Sequence, residues 1–141
     1  MVLTHEYVSK IFDHAIKHEN EAMFSYVRDD VRAEIINPEI ETSPFSKVYT
    51  SVKSGIRSWS NGFPRLFEKP ADLTLKRLTV SGDLAIIELR AEGKGKKDGE
   101  KFVNYICLVC EFDDAEEPKI KALTEYCDSA LLVKFHQNNK A

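Results

Sequence analysis

The alternation from Leu84 to Glu92 constrains this chain more than any other stretch. Ile87, Leu89 and Ala91 fall on one face, and Glu88, Arg90 and Glu92 on the other. A helix would scatter these residues around its axis, so the segment must be an extended strand with one buried face. Its neighbours read as partners. Leu73 to Val80 is a strand that turns through Ser81-Gly82-Asp83. Asp98-Gly99 is a two-residue hairpin signal. Phe102 to Phe112 is nearly all apolar, which predicts a central strand. A polar turn over Asp113 to Pro118 leads to a last long strand, Ile120 to Asp128.

The first half is helical in pattern. Val8, Ile11, Phe12 and Ala15 recur at helical spacing and predict a helix over Thr4 to His18, with Thr4 as N-cap. Asn20 is placed to cap a short second helix carrying Met23, Phe24 and Val27. Val31 to Asn37 is strand-like and stops at Pro38. A loop is expected from Pro38 to Tyr49. An apolar stripe of Val52, Ile56, Trp59, Phe63 and Phe67 then predicts a helix capped by Thr50 or Ser51 and broken near Gly62 and Pro64. His136 to Ala141 reads as a frayed tail. Helices first and a strand meander second predict an α+β fold: a curved antiparallel sheet packed on N-terminal helices, cone-shaped with an internal cavity.

Composition narrows the function classes. The 141 residues fit a single domain over 1–141, and 43% hydrophobic with 30% charged residues is ordinary for a packed globule. The net charge of -3 offers no basic stripe for nucleic acid. No apolar run approaches the roughly 20 residues needed to span a membrane. The polar stretch from Met1 to Lys10 lacks a signal-peptide core, so the cytoplasm is the expected location. Three cysteines, an odd number, suit a reducing compartment.

Motifs for common chemistries are weak. Cys107 and Cys110 have C-x-x-C spacing, but positions three apart on a strand point to opposite faces. His14 and His18 share a helix face at i, i+4, a spacing that can hold a metal, yet Ala15 stands where a zinc protease would have Glu. A polar surface face is the expected reading, and no resident metal or cofactor is expected. Lys94-Gly95-Lys96-Lys97 reads as a solvated turn, because no helix N-terminus follows it.

Three stretches resemble the SnoaL-like family of the ketosteroid-isomerase-like (nuclear-transport-factor-2-like) superfamily. They are Asp29-Asp30-Val31 running into Asn37-Pro38, Asn104-Tyr105 followed by Cys107, and Ile120 through Glu125-Tyr126-Cys127-Asp128-Ser129-Ala130-Leu131. With the order of elements, the resemblance covers nearly the whole chain. It implies a pocket for an apolar small molecule and a homodimer through the outer sheet face.

Position by position, the superfamily's known mechanisms fit poorly. The catalytic Asp of steroid isomerases matches Asn37, which cannot shuttle a proton, and their later acid falls near Leu108. For epoxide hydrolases of the limonene type, one Asp matches Glu125 and the Asn matches Asn37. Their Arg, second Asp and Tyr fall on Leu89, Ala91 and Ile35. The paired strand histidines of scytalone-type dehydratases have no counterpart. The resemblance implies an inward face of Ile35, Asn37, Ile87, Leu89, Ala91, Asn104, Ile106, Leu108, Leu123 and Glu125. Within it Asn37, Asn104 and Glu125 are the candidate catalytic residues. Trp59, Phe63, Ile87, Leu89, Ile106, Leu108 and Leu123 are the candidate substrate-binding residues. An acid–base isomerase, cyclase or dehydratase acting on a polyketide- or terpenoid-like molecule fits this pattern; so does a non-catalytic binding or dimerisation module.

Overall fold

The computed structural model describes residues 2–52 and 62–140. Helix α1 (His5–Ile16) opens the chain, and the Thr4 hydroxyl accepts from the Tyr7 amide as its N-cap. The helix buries Val8, Ile11 and Phe12. It stops two residues before the expected end, because His18 turns left-handed with φ 60. There the Glu19 amide donates to His14 O and the His18 amide to Ala15 O, the paired bonds of a Schellman ending. His14 and His18 therefore do not share one helical face. Helix α2 (Asn20–Phe24) follows with Glu19 at its N-cap and no side-chain cap bond. Asn20 is already helical, and Val27 belongs to the next strand.

The strands are β1 (Val27–Ile35), β2 (Lys47–Tyr49), β3 (Asp72–Ser81), β4 (Leu84–Lys94), β5 (Lys101–Phe112) and β6 (Ile120–Cys127). They form one sheet in the order β2-β1-β6-β5-β4-β3. The sheet is mixed, which corrects the antiparallel expectation: β1 runs parallel to β6, with Ile35 beside Glu125. Parallel pairing needs a long crossover, which here is the β2 to β5 excursion. Strand β2 lies where only loop was expected. Before β3, a single 3-10 turn spans Phe63–Leu66, and Phe67 pairs with Gly95 as a lone bridge.

The β3 to β6 meander matches the sequence pattern closely. Gly82, at φ 61, makes the first turn. The second hairpin is wider than a two-residue turn, running from Lys94 to Lys101, with the Gly95 amide donating to Glu100 O. A bulge between Leu75 and Arg77 shifts β3 by one residue. That shift lets Leu73, Leu75, Leu78 and Val80 all face the same side despite the change in spacing.

The expected tail is instead helix α3 (Ser129–Asn139), capped by Asp128, whose carboxylate accepts from the Leu131 amide. Ser129 to Leu131 are thus helical, not part of the closing strand. Leu132, Phe135 and Asn139 are buried. Asn139 Oδ1 accepts from the Lys97 and Asp98 amides and its Nδ2 donates to Phe135 O, stapling the helix to the β4–β5 hairpin.

Helices cover one face of the sheet in two patches. A large core joins Val8, Ile11 and Phe12 to Val31, Ile87, Leu108 and Phe112. A smaller one joins Leu66, Phe67, Ala91, Phe102 and Phe135. Ile106 borders both. Cys110 is in the core and Cys107 points to the opposite face, as alternation requires.

Candidate functional site

On the helix-covered face of the sheet, within the reach of the larger core, lies a carboxyl group. The ladder puts Glu125 beside Ile35 on β1 and Leu108 on β5. Continuing across, Leu108 pairs with Ile87, Ile106 with Leu89, and Asn104 with Ala91. Leu123 and Cys127 flank Glu125 on the same face. The inward set expected on the strands thus shares one face.

Glu125 is 7% exposed, and no hydrogen bond or ion pair to its carboxyl occurs among the described residues. Loss of water pushes its pKa up to about 7. Among the described residues desolvation alone acts on it, and no cation offsets the burial. The main chain beside it is strained. Ile36 has φ 65, a conformation that a β-branched residue rarely adopts, and its amide donates to the Glu125 carbonyl. The strand thus ends at Ile35, and Asn37 lies beyond it. Strain of this kind concentrates at functional positions.

The other candidates have more occupied surroundings. Asn37 Oδ1 accepts from the Glu39 and Ile40 amides, an Asx turn that starts the loop after Pro38. Its Nδ2 makes no bond among the described residues. Asn104, 2% exposed, donates to Asp128 O and accepts from the Asp128 amide. It clamps the corner where β6 becomes α3. Ile87, Leu89 and Leu108 are buried in the larger core. Ile106 and Leu123 are half-buried and pack against the larger core. Phe63 sits in an aromatic cluster, 5.1 Å from the Phe67 ring and 5.6 Å from the Phe45 ring, centroid to centroid. Trp59 and Ile56 lie outside the described residues.

Sequence reasoning missed two neighbours of Glu125. Cys127 is half-buried, its thiol pushed up to about 12 by burial and then by the charges of Glu125 and Asp128. It was legible by extending the alternation from Leu123 and Glu125. Tyr49, on β2, pairs with Ala33 and therefore points to the concave face. Burial first, and the Glu125 charge second, raise its phenol above the usual range. Only the three-residue run Lys47-Val48-Tyr49 could have signalled it.

Two open grooves lie elsewhere. One, about 510 Å³, runs along His5, Ser9, Asp13 and Leu75. The other, about 570 Å³, lies around Arg28, Asp113 and Lys121. Their carboxylates are exposed or ion-paired, as Asp13 is with Lys17 and Asp113 with Arg28. Neither holds a carboxyl isolated in apolar surroundings. No group of three His, Cys, Asp or Glu residues is arranged for a metal among the described residues. His14 instead bonds Glu19 at 2.9 Å. No helix among the described residues is long and apolar enough to cross a membrane.

Neither a protein-family model nor a curated protein matches this sequence. Solved structures do match the fold. An NTF2-like protein from Burkholderia thailandensis superposes with TM-score 0.77 at 18% identity, covering 94% of this chain and 95% of its own. A protein named for its likeness to SnoaL polyketide cyclases, from Jannaschia sp., gives 0.71 at 12% identity, with 96% and 91% covered. A protein with a ketosteroid-isomerase-like fold from Catenulispora acidiphila, in complex with trimethylamine, gives 0.64 at 16% identity, with 88% and 86% covered. The fold is therefore that of the NTF2-like and ketosteroid-isomerase-like proteins, as the sequence resemblance implied.

Proposed function

We propose that this NTF2-like fold binds a small, largely apolar molecule on its concave face and uses Glu125 to move a proton on it. The observation that carries the reading is the Glu125 carboxyl: buried, without a partner among the described residues, and titrating near pH 7. Both of its protonation states are populated at neutral pH, the condition for efficient general acid–base catalysis. Isomerisation, cyclisation or dehydration of a polyketide- or terpenoid-like compound needs such a group and no cofactor. Asn37 Nδ2 would orient a substrate oxygen. Asn104, engaged on Asp128, would act as a positioning residue behind the site.

The test has two parts. Carbon-detected NMR should show one Glu carboxyl titrating near 7 that vanishes in Glu125→Gln. Screening with aromatic polyketide-like ketones and terpenoids should give thermal stabilisation, and any turnover found should be lost in the same variant. Turnover unchanged in Glu125→Gln would sink the acid–base role. The alternative, a non-catalytic binding module, is favoured by Leu89, Ala91 and Leu108 standing where relatives of this type carry chemistry. It requires ligand stabilisation without product.

The convex face supports a second part of the reading, a homodimer. Tyr105, Tyr126, Leu84 and Ile86 are 54%, 56%, 41% and 41% exposed there. An apolar, aromatic patch on an outer sheet face is the composition of an interface centre.

A further inference from the structure

We propose that this chain associates head to tail with copies of itself, the basic hairpin at one end of the sheet docking on the acidic groove at the other end of a second copy. The inference stands apart from the site around Glu125 and from the outer sheet face.

The turns of the meander separate the charge. At one end of β4 and β5 lies the hairpin from Lys94 to Lys101. It is fastened to its surroundings: the Glu68 amide donates to Lys94 O, the Lys96 amide to Leu66 O and the Lys97 amide to Asn139 Oδ1. These bonds bring Arg65, Lys69, Lys94, Lys96, Lys97 and Lys140 to one corner. All six are exposed, and none makes a salt bridge among the described residues. The acids of the same corner are Glu68, Asp98 and Glu100, so these cations outnumber them two to one. Lys101 and Glu92 cancel as an ion pair.

At the opposite end, the Phe112 amide donates to Asp83 O, which ties the β3–β4 turn to the start of the β5–β6 turn. Asp83, Asp114, Glu116 and Glu117 are exposed there, again without a salt bridge among the described residues. The cations at this end are mostly engaged. Arg28 pairs with Asp30 and Asp113, and Lys121 with Glu111, which leaves Lys119. The open groove of about 570 Å³ lies here, with Asp83, Asp113 and Asp114 around Leu3, Phe112 and Pro118.

Strand β4 has 11 residues, so the two ends stand roughly 33 Å apart. That is about four Debye lengths at physiological salt, so neither charge relieves the other within one chain. The same chain thus supplies both complementary surfaces, which makes a second copy the fitting partner. The hairpin is already ordered by its bonds to Leu66, Glu68 and Asn139, so docking it fixes little new backbone. A contact between two different surfaces is heterologous: each copy keeps one free end of each kind, and the assembly grows as an open chain. Exposed charge pairs hold each contact weakly, which makes the association low in affinity and dependent on salt.

Sedimentation equilibrium of the full chain is the test. In about 10 mM salt, where the Debye length is about 30 Å, the weight-average mass should keep rising with concentration beyond any dimer; in about 1 M salt it should level off. Lys94→Glu with Lys96→Glu makes both ends net acidic, and Asp114→Lys with Glu116→Lys makes both ends net basic. The four side chains are exposed and make no hydrogen bond among the described residues, so the fold does not depend on them, and circular dichroism of each variant checks this. Each variant alone should lose the growth at low salt, and an equal mixture of the two should regain it. A mixture no heavier than the average of the separate variants overturns the proposal, as does parent growth that is equal at both salt concentrations. A parent that does not grow at low salt also overturns it, and leaves the basic corner to an acidic partner other than this chain.

Discussion

Glu125 makes stability depend on pH in a direction opposite to most carboxylates. Its folded pKa is about 7, above the ordinary 4.5, so between those values the native state holds a proton that the unfolded chain has released. Stability is full below about pH 4.5 and falls as pH rises to about 7. Across that window the loss amounts to roughly 3 kcal/mol. Glu125→Gln keeps the volume and removes the titration. Urea unfolding at pH 4.5 and 8 should show the variant level with the parent at the lower pH and more stable at the higher one. Identical slopes in both proteins would contradict a buried, unpaired carboxyl. A second residue-scale effect sits at the end of α1. His18 holds φ 60, where glycine carries no Cβ penalty. Its backbone bond to Ala15 O survives substitution. His18→Gly should therefore raise the unfolding free energy by about 1 kcal/mol in denaturant titration.

At the scale of elements, the corner between β6 and α3 is held from behind by one amide. Asn104 bonds both the N–H and the C=O of Asp128, and Asp128 caps α3. Asn104→Ala leaves these groups without their partner and should cost about 2 kcal/mol. Amide exchange at Leu131 and Leu132 should accelerate more than at Ile87 in the far core; a uniform acceleration would mean global loss only. This corner also shows what the sequence carried and what it did not. The strands β3 to β6 were legible because one buried face leaves a period of two in the residues. The Glu125 face followed from the same period. Helix α3 was missed although Leu131, Leu132 and Phe135 stand at helical spacing behind Asp128, because the polar run His136 to Lys140 read as a tail. The parallel β1–β6 pair leaves no local signal at all, since its two strands are far apart in the chain. Tyr49 was hidden for the same reason: its β2 strand is three residues long and exists only through its pairing with β1.

At the scale of the molecule, the sheet has one face covered by helices and one face without cover among the described residues. The bare face is not uniformly polar. Arg77–Glu88, Arg90–Glu92 and Lys121–Glu111 pair along the ladder, and such exposed pairs add little stability. Between them stand Tyr105 and Tyr126, diagonal neighbours across β5 and β6, with Val109 and Ile86 beyond. Lys76 lies 4.8 Å from the Tyr105 ring centroid, and Arg90 interacts with the Tyr105 hydroxyl, so two cations of the same chain already engage this side chain. A two-fold dimer would set the patch against its own copy, which suits a surface whose charges are already paired within each chain. A stable interface of this kind buries about 800 Å² per partner. Sedimentation velocity should find a dimer. Tyr126→Glu places an unpaired carboxylate at the centre of the patch while facing solvent in the monomer, so it should dissociate the dimer without lowering the melting temperature of the domain below that expected from lost association. A parent chain that sediments as a monomer would remove the interface reading and leave the proposed site around Glu125, whose residues belong to one chain, untouched.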